Sequence, residues 1–563
     1  MAIQRAVHNV TRDSPRVLIN TLSGRLLNKS DQAAAFESLP IFNELISSMT
    51  TDIDHSRIVH DVTQYYRYAM FSHKWEADEP LFEKVARIVV HDLNNTPEHN
   101  KLKMFCKIAQ GDGLHWAWSD TCCINQGDHF VLQEALVSMF RWYQGSTVTI
   151  IFLRGVRSPG GLTRSTWNTR AWTLQEYHAS KVVRFYNEDW TLYMNLDIPN
   201  HKDSPEIISE MEQATGVSAQ TLMELRPGST NIREKLHLAS TRETTRVEDA
   251  AYSLLGIFSM SMSVVYGEKD KSLGRLLSQL LTNSGDTSIL AWSGRSGQFN
   301  SCLPANISVF NQLPTTHIPS VSEDAQMDGI SARLHASTPN FTLITELYGR
   351  LHELPLPLFV GQRMKLPCMT FKLERVTAFW SESRRMFRAY TPALGIVHIQ
   401  AKEDLSRLGP LCLVHPWIDF LLDRQPVDTA TGKDLEDSAD SQFSLISPSP
   451  GPSDVASPTI RQIQPTKTNL LTRLGHPFGT WPRGSDSASY MSHSSMSLTA
   501  KQTRALRLVA RLRQPFGALL FAQNRQNVEE YKRVAAESMI KVQVQGDVPL
   551  DKLIHGVRVL DVL

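Results

Sequence analysis

The sequence predicts an α/β fold whose core, residues 61–195, is a parallel sheet flanked by helices. Two observations point there. Short apolar runs of strand composition alternate with amphipathic helical segments, a pattern that folds as strand–helix–strand units with parallel strands. The clearest of these runs, Ser146 to Leu153 (STVTIIFL), is dominated by β-branched residues, which suit a pleated sheet.

The elements follow in order. Residues 1–60 read as an irregular, partly helical lead-in, with helical spacing from Ala33 to Met49. Tyr65 to Phe71 is rich in aromatics and reads as a strand. A helix is expected from about Pro80, with Leu81, Val85 and Ile88 on one face. His115 to Asp120 is a second strand. Asp128 then caps a helix whose stripe is Leu132, Ala135, Leu136, Met139 and Tyr143. A short helix at Arg170 to Ala179 and a strand at Val182 to Tyr186 close the series.

Residues 196–295 read as a helical extension, where Leu273, Leu276, Leu277, Leu280 and Leu281 mark one buried face. Residues 300–425 read as a β-rich, loop-rich C-terminal region. In residues 427–500 the composition shifts to Ser, Thr, Pro, Gly and Asp, too poor in large apolar groups to offset chain entropy, so a disordered Ser/Pro-rich linker is expected. Residues 501–563 read as a basic helix, with Arg504, Arg507, Arg511 and Arg513, followed by a small apolar tail. A docked helix with a solvated basic face outweighs contact with a membrane surface, since few charges are involved.

Composition removes several classes. With 563 residues the chain has room for about three to four domains. Its 58 Lys plus Arg against 57 Asp plus Glu give a net charge of +1, without the positive excess on which nucleic-acid affinity rests, so no nucleic-acid partner is expected. Arg5, Arg12 and Arg16 precede no apolar h-region, so no secretory signal is read. The uncharged stretch from Ala250 to Gly267 reads as a buried helix and a loop rather than a membrane span. Six cysteines without zinc spacing indicate reduced thiols in a cytoplasmic setting and no bound metal. There is no P-loop and no solenoid repeat.

In an open parallel sheet, ligands bind beyond the carboxyl ends of the strands. Ser72, His73 and Trp75 follow the first strand, Asp120 the second and Arg154 the third; Arg170, Trp172 and Glu176 lie on the helix after it. Polar and aromatic groups collected at one rim suit a small-molecule pocket. Each residue also has a plainer use. Asp120 reads as a turn or helix cap, Trp75 and Trp172 as core, and His73 as a hydrogen-bonded packing residue.

The segments YAMFSHKW, WAWSDTCCINQ, LQEALVSMFRWYQGSTVTIIFL and TRAWTLQE, in this order, resemble the motifs of the fungal heterokaryon incompatibility (HET) domain. TRETTRVEDAAYSLLGIF, VVYGE and DTSILAW resemble the stretch that follows the domain in many members. The likeness covers about residues 65–295, with one departure: Glu76 follows Trp75 where many HET domains have glycine.

That resemblance implies a TIR/flavodoxin-like parallel sheet and a role in non-self recognition and programmed cell death. It also implies a catalytic Glu176, four residues after Trp172 as in TIR domains that split NAD. Ser72, His73, Trp75, Asp120, Arg154, Arg170 and Trp172 would then line the site for NAD, a substrate rather than a tightly bound cofactor. The alternative is a non-catalytic module that acts through self-association and other incompatibility proteins.

Overall fold

The computed structural model describes residues 1–47, 54–311, 341–382, 384–417, 500–546 and 548–563. Four strands make the centre of the first sheet: β3 (Tyr68–Ser72), β4 (Trp116–Trp118), β5 (Val148–Phe152) and β6 (Val183–Tyr186). They are parallel, with Met70 beside Trp118, Phe71 beside Ile150 and Ile151 beside Phe185. Counting these four alone, the order across the sheet is 2-1-3-4, so the winding direction reverses between β3 and β5. Every residue of β3, β4 and β5 is buried, as expected of strands covered on both faces.

The lead-in is more regular than its sequence suggests. Residues 1–60 contain β1 (Val17–Asn20) and β2 (Leu26–Asn28), a hairpin that extends the sheet antiparallel along β4. The sheet is therefore mixed, six strands in the order β2-β1-β4-β3-β5-β6: its four strands within residues 61–195 are parallel as expected, and the antiparallel pair comes from the lead-in. Leu18 and Ile19 are fully buried, so the hairpin covers an otherwise open edge. Around it lie α1 (Ala2–Thr11), α2 (Lys29–Glu37), α3 (Pro40–Ser47) and α4 (His55–Tyr65).

Between β3 and β4 the helix expected at Pro80 shrinks to one turn, α5 (Phe82–Val85). Leu81 and Ile88 are exposed, leaving Val85 as the buried member of that stripe. The crossover is instead α6 (Pro97–Gly111), capped by the Thr96 hydroxyl, with Pro97 in its first turn and Leu102, Phe105, Cys106 and Ala109 buried. Its stripe hides among Lys101, Lys103 and Lys107, which is why the periodicity reads weakly. After β4 come the single turn α7 (Asp120–Cys123) and α8 (His129–Gly145), where the Asp128 carboxylate accepts from the Phe130 and Val131 amides. The last helix of the core, α9 (Trp172–Ala179), precedes β6.

The extension is helical as read. Lys271–Ser284 buries all five leucines of its stripe, and the stretch after Asp249 is a helical turn followed by turns and loop. Among the described residues no helix is long and apolar enough to cross a membrane.

The C-terminal strands are β7 (Leu358–Val360), β8 (Arg363–Lys372), β9 (Glu374–Ser381), β10 (Arg384–Thr391), β11 (Gly395–Gln400), β12 (Leu411–Pro416), β13 (Phe516–Gln523), β14 (Glu530–Val534), β15 (Ile540–Val542) and β16 (Val557–Val562). β9–β11 form an antiparallel meander. The pairings β8–β12, β12–β13, β13–β14, β14–β16 and β16–β8 close on themselves, a ring of five strands with β7 and β15 attached at its margins. Residues 300–425 and 501–563 thus contribute to one sheet, and the tail read as merely apolar supplies most of its second half. The basic helix Ala500–Leu512 buries Ala505, Leu506, Leu508, Val509, Ala510 and Leu512, a docked helix as favoured from sequence. Residues 427–499 lie outside the described residues, so the disorder expected there is not addressed by the structure.

Candidate active site at the sheet rim

The carboxyl ends of β3 and β4 and the inner face of α9 meet where the winding direction reverses. The Trp167 indole donates to the Ser72 hydroxyl at 2.8 Å, and that hydroxyl donates to Glu176 Oε2 at 2.5 Å. One turn of chain away, the Trp75 indole donates to Asp120 Oδ2 at 2.7 Å. Glu176 is 4% exposed and Trp167 1%. The chain Trp167–Ser72–Glu176 is therefore inside the protein, and its alignment is fixed by β3 and by the packing of Trp167 against Tyr177 and Phe185.

Burial raises the Glu176 carboxyl to about 8, and the neighbouring Asp120 adds to the rise. The Ser72 hydrogen bond and the Arg170 and Arg242 charges oppose it. Asp120 is also raised, by burial, against the pull of His73, Trp75 and Arg170. Two carboxyls raised by burial share this rim, a pattern common at catalytic sites. At neutral pH Glu176 holds a proton.

His73 is 4% exposed and lies parallel to Phe71, with ring centroids 4.2 Å apart. Among the described residues neither ring nitrogen has a hydrogen-bond partner; Nε2 stands 3.7 Å from the Glu79 carboxylate. Burial and the Lys101 charge lower its pKa, while Glu79 and Asp120 raise it. Burial pushes the Glu79 carboxyl up, but His73 and Lys101, with which it forms a buried ion pair, outweigh that and bring it down to about 2.

Of the eight residues singled out in the sequence, six gather at the rim and two do not. Ser72, Trp75, Asp120 and Glu176 converge, with Arg170 half-buried and close enough to influence both acids. His73 lies close enough to Asp120 for each to influence the other, whereas Arg154 and Trp172 face elsewhere. Arg154 pairs with Glu76 at 3.2 Å and Glu188 at 3.7 Å, a surface arrangement rather than part of the acid cluster. The Trp172 indole turns to Asp249, whose carboxyl is raised by burial and drawn back by Trp172 and Tyr266. Glu76 keeps a negative φ, so this loop does not require the glycine of the resembled pattern.

Three contributors escape the sequence reading. Glu79 and Lys101 come from different segments and nothing local links them. Arg242 is 8% exposed and donates to the Arg170 carbonyl and the Thr173 hydroxyl, both at 2.9 Å, so it holds the start of α9. The charged run Thr241–Arg246 could have marked it. Beside it, the Glu243 amide donates to the Thr169 carbonyl at 2.6 Å, and the Ala171 amide to the Glu243 carbonyl at 3.1 Å. Among the described residues no cluster of His, Cys, Asp and Glu suits a metal ion.

Comparisons with known proteins give a family match and a similar curated protein. Residues 68–162 match the family described as Heterokaryon incompatibility protein (HET). The chain is 32% identical over 232 residues to the vegetative incompatibility protein HET-E-1 of Podospora anserina, a match that takes in 39% of this chain and 16% of that protein. No solved structure matches. Residues 68–162 end before Trp167 and Glu176, so the family match covers β3, β4 and β5 and stops short of the carboxyl. Residues 68–162, which carry the motifs and build β3, β4 and β5 of the sheet, are thus similar to the HET domain.

Proposed function

We propose that the protein acts in heterokaryon incompatibility, and that its HET domain carries out non-self and cell-death signalling by splitting NAD at the rim built on Glu176. The observation that carries this reading is the buried chain Trp167–Ser72–Glu176 at the reversal of strand order. The 2-1-3-4 order is the beginning of the flavodoxin-like order 2-1-3-4-5, whose ligands sit at that switch point. This supports the TIR/flavodoxin-like reading of the sheet.

The chemistry asks little beyond a positioned carboxylate. The bond from ribose C1′ to the nicotinamide nitrogen breaks, and its electron pair leaves with nicotinamide. Water adds to C1′ and releases a proton. The oxocarbenium-like ribose between these events is stabilised by a carboxylate, as in glycoside hydrolysis. In the closed rim Glu176 is protonated and bound to Ser72. A cationic nicotinamide ring placed beside it would lower its pKa and draw it into the charged form. Arg170 would face the pyrophosphate, and Trp75 would stack on a ring.

The test uses the full chain: nicotinamide released from NAD, wild type beside Glu176→Gln. Release abolished by the substitution is the expected result; equal release from a folded Glu176→Gln protein would remove Glu176 from the mechanism. The second reading is a non-catalytic module acting through self-association and other incompatibility proteins. It is favoured by the near-complete burial of Glu176, and NAD left intact by assembled protein would establish it. A cytoplasmic location fits six cysteines that are all buried and free.

A further inference from the structure

A cavity of about 150 Å³ lies between α5, α8 and the start of β1. Trp118, Trp142, Phe82, Ile124, Val131 and Ala135 wall it, an almost wholly apolar lining. Arg16 and Glu134 stand at its outer side and pair at 2.5 Å, with side chains 63% and 38% exposed. Asn125 supplies a polar point. Its Oδ1 accepts from the Gly127 amide at 3.1 Å, and among the described residues its NH2 group has no partner. None of the Glu176 cluster lines this space.

We propose that this cavity binds a small neutral aromatic molecule carrying one hydrogen-bond acceptor. The volume is that of apolar cavities that stay dry and accept a benzene-sized guest. Two indoles and a phenyl ring offer faces and edges to a flat guest. A charged guest is disfavoured, since the Arg16 charge is already matched by Glu134 and an unpaired ion in apolar walls is costly. The Asn125 NH2 sets the requirement for an acceptor. The Arg16–Glu134 pair lines the outer side, where two exposed side chains can move aside for a guest. A guest here touches Cys123 at one end of α7, the turn whose other end is Asp120, so the site offers this HET domain a ligand sensor beside its rim.

Calorimetric titration of the full chain with acetophenone, with benzoate as the charged equivalent of similar size, tests the assignment. One saturable site for acetophenone is expected. Binding should fall at least about tenfold in Ala135→Leu, which fills the cavity from α8 with a strong helix former, and benzoate should bind at least about tenfold more weakly. Val131→Phe, on the same wall, takes its place if Ala135→Leu does not fold. No saturable binding, or binding undiminished by a folded filling variant, would overturn the site. Benzoate binding as tightly as acetophenone would overturn the ligand class.

Discussion

Glu176 keeps its proton because burial and Asp120 both oppose its charge, and this makes the carboxyl a liability as pH rises. The unfolded chain releases that proton near the ordinary value of 4.5, whereas the folded chain holds it to about 8. Between those values the folded state binds more protons, so stability falls with rising pH, by about 1.4 kcal/mol per unit at most. His73, lowered by burial, acts in the opposite direction below its ordinary value of 6.5. The two are separable. Glu176→Gln keeps the Ser72 contact and cannot ionise, so its denaturant midpoint, relative to wild type, should climb steadily from pH 5 to pH 8. A flat difference would show that Glu176 ionises normally in the folded protein. At this scale the sequence was readable for groups that follow strands, Ser72, Trp75 and Asp120 among them. It was not for Arg154, whose partners Glu76 and Glu188 come from separate loops, nor for Arg242, recruited by packing of the extension.

The element with the least visible signal is the β1–β2 hairpin. Four residues and three, on either side of a turn, are too short for periodicity to register, yet Ile19 is fully buried beside Ala117 of β4. Long amphipathic segments such as α8 and Lys271–Ser284 were legible because many positions repeat the same demand. The single turn α5 was over-read from three apolar residues, of which one is buried. If the hairpin is part of the core rather than a lead-in, Ile19→Ala should cost about 2–5 kcal/mol of unfolding free energy, read from denaturant melts of the full chain. A loss below about 0.5 kcal/mol, typical of surface positions, would return the hairpin to the periphery.

At the scale of the molecule, the C-terminal ring is tied to the end of the helical extension through Arg533. Its guanidinium stacks over Trp292, 3.8 Å from the ring centre. It donates to the carbonyls of Leu290 and Cys302 at 3.0 and 3.3 Å, and to that of Trp292 at 2.6 Å. Burial lowers its pKa to about 10, so the charge is retained, held by the three carbonyls and the face of Trp292. Arg533→Met should leave those carbonyls without donors and lower stability by about 3–5 kcal/mol, with a loss of order around Trp292 visible in its fluorescence. An unchanged melting temperature would mean that the two regions hold together by other means. The motif DTSILAW signalled its importance in the sequence, but not its partner, because Arg533 lies more than two hundred residues away.

The separation of sheet partners has a kinetic meaning. In the ring, β8 pairs with β16, and the Cys368 thiol meets the Arg558 carbonyl across 190 residues of chain. Chain entropy charges for such a closure only logarithmically, about 0.6 kcal/mol for each doubling of the intervening length, so the distance scarcely weakens the finished protein. It weighs instead on the search, because distant strands must meet before any of their contacts reward the encounter. The first sheet, whose parallel strands pair within tens of residues, is free to assemble first and to wait for the ring to close over Leu290 and Trp292. Newly made protein would then pass through an interval in which its rim is formed but its clasp is not, and during which exposed apolar strands are most open to chaperones and to each other.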